Sequence, residues 1–284
     1  MRAVLRWFFI SVVAILAILF LLNYLGVRFP WAPKRGEFSV TFIDVGQGDS
    51  ALIMTESTAV AVDVGPSLNA ETTADRIFAL AEKLDCIVVT HPHEDHMGAL
   101  SEVLATVPTE RVVMNADASD ASYFTRALDV IEKSGIPVAE GKAGEKLEIG
   151  DITLEFLAPI RYTDDKNTNS IVLRASAHGV TVLITGDASV AEEEDILGNY
   201  EDIRADVLKV GHHGSSDSTS AEFLAAVSPS IAVISCGEGN SYGHPHNSTL
   251  TRLRDAGADV YRTDLNGSVT VYVENGELRV RTSE

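Results

Sequence analysis

Six consecutive residues, His91-Pro92-His93-Glu94-Asp95-His96, constrain this chain more than any other stretch. They follow the apolar run Cys86-Ile87-Val88-Val89-Thr90, which reads as a buried strand. The pattern H-x-H-x-D-H therefore sets three imidazoles and a carboxylate where a strand ends. In extended backbone, residues i and i+2 point the same way, so His91 and His93 can grip one ion together. Asp95 and His96 lie where the chain turns and can face a second ion beside the first. Imidazole and carboxylate ligands suit zinc, and manganese as carboxylates are added. Three of the chain's eight histidines fall in this hexapeptide, which makes a chance polar loop a poor explanation.

The rest of the pattern alternates strands and helices. Strands are predicted over Phe38–Asp44, Ala51–Met54, Ala59–Val64, Cys86–Thr90, Arg111–Met114, Ile152–Leu157, Ile171–Ala175 and Val180–Thr185. Further strands are predicted over Val207–Val210, Ile231–Ser235, Val260–Arg262, Val269–Val273 and Leu278–Arg281. Helical spacing marks Ala70–Leu84, Gly98–Val107, Ala121–Ser134, Val190–Leu197, Ser220–Val227 and Ser248–Ala256. In the first of these, Ile77, Leu80, Ala81 and Leu84 share a face. Meandering strands separated by helices fit two central sheets with helices outside.

The N-terminus reads as a membrane segment. From Trp7 to Val27 no residue is charged, and Arg6 and Arg28 bound the run. A helix of that length spans roughly 30 Å of hydrocarbon. A cleavable signal peptide would need a small-residue cleavage site, and Leu22–Val27 offers none. The expected organisation is an anchor over 1–28, a Pro/Gly-containing linker over 29–36 and one domain over 37–284. Basic residues flank the span on both sides, so the positive-inside rule discriminates weakly. The larger part of the chain is expected outside the cytoplasm.

Composition adds limits. The 284 residues carry 22 basic and 41 acidic side chains, a surface that repels nucleic-acid phosphates unless a metal or a local basic patch offsets it. Cys86 and Cys236 both sit in apolar runs and read as buried free thiols. Gly46-Gln47-Gly48-Asp49-Ser50 lacks the lysine and following helix of a phosphate loop, and reads as a tight turn whose Asp49 supports the metal loop. The run Glu192-Glu193-Glu194-Asp195 opens a predicted helix, where the helix dipole favours acidic groups.

More candidate ligands stand at strand ends. Asp187 closes Val182-Leu183-Ile184-Thr185-Gly186-Asp187, either to reach a site at the sheet edge or to cap the helix from Val190. Val207–Val210 leads into Gly211-His212-His213-Gly214-Ser215, where adjacent histidines are expected to point apart so that one binds metal. Tyr242-Gly243-His244-Pro245-His246 supplies two more imidazoles, or simply a turn with exposed histidines.

Taken together, these motifs resemble the metallo-β-lactamase superfamily, and more narrowly the extracytoplasmic hydrolase-like domain of the ComEC/Rec2 competence proteins. The matching stretches are Phe42–Ser50, Thr90–Gly98, Asn169–Leu173, Thr185–Asp187, Lys209–Ser215 and Tyr242–Pro245, in order over nearly all of 37–284. The resemblance implies an α/β fold, an αββα sandwich preceded by one transmembrane helix, with two divalent ions, Zn²⁺ or Mn²⁺, at one sheet edge. It assigns His91 and His93 to one ion, Asp95 and His96 to the other, Asp187 as bridge, and His213 or His212 as the last ligand. Asn169 stands where many zinc hydrolases of the superfamily have histidine, so the first site is weaker or more open. The implied chemistry is phosphodiester hydrolysis by a hydroxide held between the ions. Asp95 and Asp187 orient it, and His244 contacts the substrate or protonates the leaving oxygen. The implied substrate is single-stranded DNA or a nucleotide, and the implied partner is a competence channel protein, since the many-helix channel of the full ComEC proteins is absent here. Alternatives are hydrolysis of a lactone, a thioester or a choline phosphodiester, and a non-enzymatic metal-binding accessory of DNA uptake.

Overall fold

The computed structural model describes residues 37–284; the anchor and linker expected over 1–36 lie outside the described residues. No helix of the described residues is long and apolar enough to cross a membrane.

Among the described residues, the first eight strands are β1 Ser39–Phe42, β2 Ser50–Met54, β3 Ala59–Val64, β4 Cys86–Val89, β5 Val112–Met114, β6 Val138–Glu140, β7 Lys146–Ile149 and β8 Ile152–Ala158. They continue with β9 Val172–Ala177, β10 Val180–Ile184, β11 Val207–Lys209, β12 Ile231–Ile234, β13 Asp259–Arg262, β14 Val269–Glu274 and β15 Glu277–Thr282. The helices are α1 Ala70–Leu80, α2 Glu94–Met97, α3 Leu100–Thr106, α4 Ser122–Ser134, α5 Val190–Asn199, α6 Ala221–Val227, α7 Asn247–Asp255 and α8 Thr263–Asn266.

The strands form two sheets, ordered β15-β14-β1-β2-β3-β4-β5-β6 and β13-β12-β11-β10-β9-β8-β7. Each is antiparallel in one half and parallel in the other. The parallel strands are joined through helices, which cover the outer faces. That is why β4 and β12 read as unbroken apolar runs: both of their faces are buried. The inner faces meet in one core containing Phe38, Phe42, Ile53, Val88, Leu154, Phe156, Val182 and Val233. Outside the first sheet, Ile77, Leu100, Phe124 and Ile131 of α1, α3 and α4 pack on Leu52, Ile87 and Val89. Outside the second, Ile196, Phe223, Leu224 and Leu253 of α5, α6 and α7 pack on Leu183 and Leu208. The result is the expected four-layer αββα sandwich.

Two helices differ in detail from the sequence reading, and the edge strands β6 and β7 are additional to it. The helix from Ala70 stops at Leu80, because Ala81 is extended (φ −140°, ψ 109°). Leu84 is therefore buried in a connecting segment that bridges to Thr109, not on a helix face. In the acidic run of α5 the helix dipole is not the whole account, for Glu192 and Glu193 are buried. Glu193 accepts hydrogen bonds from the backbone N–H groups of Thr219 and Ser220 and so ties α5 to the start of α6.

The topology positions a site. The carboxyl ends of β3, β4, β10, β11 and β12 come from both sheets and open at one edge of the sandwich. In sheets with parallel strands, ligands bind beyond such ends.

Candidate metal centre

The loop after β4 brings His91, Asp95 and His96 to that edge, with His93 half-buried beside them. Asp63 is the penultimate residue of β3, Asp187 follows the end of β10 by three residues, and β11 leads into the turn Gly211–Gly214. Three of these side chains sit on strained backbone: Asp63 (φ 55°), His212 (φ 46°) and His213 (φ 54°) are left-handed without being glycine. Such strain persists only where surrounding structure enforces it, and it gathers at functional sites.

The strain aims the histidines. Adjacent side chains on extended backbone point apart, but two successive left-handed residues turn both rings the same way. His213 Nε2 lies 3.6 Å from Asp187 Oδ1, and His212 Nε2 lies 3.6 Å from Asp187 Oδ2. The expectation that only one of the pair faces the site gives way to this arrangement.

Asp187 divides the donors into two sets. On the Oδ1 side, His96 Nε2 is 3.2 Å from Oδ1, and His213 Nε2 is 3.1 Å from Asp95 Oδ2. Donor atoms of Asp95, His96, Asp187 and His213 all lie within 4.8 Å of one another. A tetrahedral ion with bonds near 2.0–2.1 Å has ligand-to-ligand edges of about 3.3 Å, which these separations match. His96 Nε2 and Asp187 Oδ1 are buried and hydrogen-bonded to nothing, although they are so close. On the Oδ2 side, His91 Nε2 is 4.0 Å from Oδ2 and 3.1 Å from His93 Nδ1. With His212 these make a second, more open set.

The groups behind the rings fix which nitrogen is free. His96 Nδ1 sits 2.8 Å from Asp63 Oδ2, and His213 Nδ1 sits 2.9 Å from the Ser235 carbonyl. His91 Nδ1 is 3.1 Å from the Thr90 hydroxyl, which itself donates to Asp63. An acceptor at Nδ1 places the proton there and leaves Nε2 with a lone pair for the site, the tautomer a metal ligand needs.

Electrostatics favour cations. Asp49, Asp63, Asp95 and Asp187 converge with one buried ammonium, Lys209, whose Nζ is 2.7 Å from Asp49 Oδ2. Burial works against the Asp49 carboxylate, but Lys209 and His213 hold it down at about 2. Burial likewise opposes charge on His96 and His213, yet the surrounding carboxylates raise His96 well above its usual range and His213 to about 10. Protons thus occupy positions that a metal cation fills better. Burial, with His96 next to it, keeps His91 neutral.

Residues 43–238 match the family model described as the metallo-beta-lactamase superfamily. The chain belongs to this superfamily.

Two similar proteins carry competence names. The chain is 32% identical over 267 residues to "ComE operon protein 3" of Bacillus subtilis, covering 87% of this chain and 34% of that protein. It is 32% identical over 277 residues to "Competence protein ComA" of Neisseria gonorrhoeae, covering 93% of this chain and 36% of that protein. The chain thus spans about a third of the length of these relatives. Among solved structures, the fold is shared with Igni18, a metallo hydrolase from Ignicoccus hospitalis, at TM-score 0.55 and 17% identity, over 83% of this chain and all of that one.

The superfamily reading makes Asn169 informative. Its Oδ1 accepts from the Thr163 N–H at 2.7 Å and hydroxyl at 3.1 Å, and its Nδ2 donates to Asp117 Oδ2 and the Thr163 carbonyl, both at 2.9 Å. Every polar atom of the amide is used in holding the 163–169 loop. Of the other candidates, the His244 ring centroid lies 5.6 Å from that of His212 and 6.3 Å from that of His213. Burial, then His213 and His212, lower it to about 4, so it is neutral at pH 7. His246 turns its Nδ1 to the Ser216 N–H at 2.9 Å and clamps the loop. Asp63 and Lys209 were not singled out as site residues in the sequence, yet each is a charged residue inside an apolar strand, which is the signal that marks them.

Proposed function

We propose that this chain is a membrane-anchored, metal-dependent phosphodiesterase acting on single-stranded DNA or a nucleotide-like diester. Membership of the superfamily and the donor set support metal-dependent hydrolysis. The observation that carries the finer reading is the carboxylate of Asp187, whose two oxygens each face a separate cluster of imidazoles. That arrangement suits two ions side by side, which can clamp the attacking and leaving oxygens of an in-line displacement at phosphorus. The proposed ligands are His91, His93, His212 and Asp187 Oδ2 for one ion, and Asp95, His96, His213 and Asp187 Oδ1 for the other. Asn169 is set aside because its amide is fully engaged.

Bound there, divalent ions supply a water of lowered pKa and neutralise charge developing on a phosphoryl oxygen. The chain's own residues do the rest. Asp95, about a third exposed, is the carboxylate nearest the opening and orients the attacking water. Neutral His244 offers a hydrogen bond to a substrate oxygen. Lys209 and Asp49 hold His213 in place from behind. The anchor over 1–28, the linker over 29–36 and an extracytoplasmic hydrolase domain over 37–284 belong to the same proposal, supported by the uncharged run from Trp7 to Val27. A competence channel protein is the proposed partner, in keeping with the names of the longer relatives.

The test is a substrate panel on the purified chain loaded with Zn²⁺ or Mn²⁺. Bis(p-nitrophenyl) phosphate is expected to turn over, with loss in His93→Ala. Turnover confined to a lactone, thioester or choline diester would replace the phosphodiesterase reading with another hydrolase of the fold. No turnover on any of them with metal bound would favour a non-enzymatic role.

A further inference from the structure

Tyr242 is an exposed large side chain that touches the site. It is 66% exposed, yet its ring lies nearly parallel to His244, at 5.7 Å between centroids and 24° between planes. His244 in turn stacks over His213 at 6.3 Å and 25°. A ladder of flat rings therefore leads from the Asp187 centre to solvent.

This ladder is held rigidly. The His244 N–H donates to Asn240 Oδ1 at 3.0 Å, and Asn240 Nδ2 donates to the carbonyls of His244 at 2.6 Å and Gly237 at 3.0 Å. The His246 clamp to Ser216 fixes the other end of the loop. Tyr242 thus presents an aromatic face to water on a loop held at Asn240, His244 and His246.

We infer that Tyr242 is a stacking platform for an unpaired nucleobase of the substrate whose phosphate lies at the Asp187 centre. The inference rests on the phosphodiesterase reading and narrows its substrate to single-stranded nucleic acid. Two physical arguments support it. A chain of net charge −19 gains little from general attraction to phosphates, whereas stacking on an aromatic ring does not depend on charge. A base inside a duplex has both faces covered, so only an unpaired base can use the free face of Tyr242.

The experiment compares two diesters on the manganese-loaded chain: the p-nitrophenyl ester of thymidine 5′-phosphate, and methyl p-nitrophenyl phosphate, which has no base. Stacking contributes about tenfold or more per base, so the ratio of kcat/KM for the nucleoside ester to that for the base-free ester should fall about tenfold in Tyr242→Ala, mainly through KM. Tyr242→Phe should keep the ratio. A ratio unchanged in Tyr242→Ala would overturn the inference and leave the phosphodiesterase reading intact. If wild type cleaves neither ester, that reading fails. Binding of an oligothymidine against an abasic oligomer of equal length then decides the stacking alone: base-dependent affinity unchanged in Tyr242→Ala overturns it.

Discussion

At the scale of single residues, the chemistry depends on groups that stand behind the proposed ligands as much as on the ligands. Asp63 accepts from the Thr90 N–H, the Thr90 hydroxyl and His96 Nδ1, all within 2.8 Å. It fixes both the tautomer and the direction of His96. Removing such a partner commonly weakens metal affinity by 10–100-fold. Asp63→Asn should therefore bind metal roughly tenfold or more weakly in a competition titration while keeping its secondary structure; unaltered affinity would mean that His96 needs no orienting group. Glu192 presents a different case. It is buried, and its Oε2 has no hydrogen-bond partner. Burial first, then Asp195 and Asp165, push it from 4.5 to about 9. The folded chain keeps this proton while the unfolded chain releases it above pH 4.5. Stability is therefore full below that pH and is lost as pH rises toward 9, by up to about 1.4 kcal/mol per pH unit. Glu192→Gln should change urea unfolding little at pH 5 and raise stability at pH 8 by on the order of 4 kcal/mol. A gain equal at both pH values would show that Glu192 does not titrate in this window.

At the scale of elements, strand ends and turns build the site. Gly48 shows how tightly they fit. Its backbone is left-handed, and a Cβ there would collide with the Asp95 carbonyl oxygen and press on Pro66. That approach lets the Asp49 N–H donate to the same carbonyl at 3.0 Å and locks the β1–β2 turn onto the metal loop. Gly48→Ala should cost on the order of 2 kcal/mol or more in denaturant unfolding and weaken metal binding in the same protein. A neutral substitution would mean that the two loops move independently. The same scale explains what was legible in the sequence. Strands buried on both faces, such as β4, β11 and β12, announce themselves as apolar runs followed at once by polar residues. The edge strands β6 and β7 passed unnoticed, because the three residues of β6 are all exposed and β7 carries one buried side chain. The H-x-H-x-D-H loop is readable from residue type and position, whereas Asp187 reads equally as a helix cap until the family resemblance assigns it to the site. The convergence of His212 with His213 is not readable, since it depends on two left-handed residues that no spacing rule signals. Nor is the burial of Glu192, since the helix dipole alone accounts for acidic residues at a helix start.

At the scale of the whole molecule, the sandwich brings carboxyl strand ends from two sheets to one edge, and the carboxyl groups gathered there need cations. A ligand that binds only the folded state stabilises it by about 2.7 kcal/mol at a hundred times its Kd, which is worth several degrees in a domain of this size. Chelation with EDTA should therefore lower the melting temperature by several degrees, and added Zn²⁺ or Mn²⁺ should restore it. An unchanged melting temperature would mean that the edge holds no metal of consequence. The central claim is that Asp187 joins two ion sites. Counting metal per chain by elemental analysis, after saturation and removal of loose ions, tests it most directly. The expected result is two ions in the native chain, about one in His91→Ala and in His213→Ala, and fewer than one in Asp187→Asn. One ion in the native chain, or two surviving in Asp187→Asn, would contradict the account.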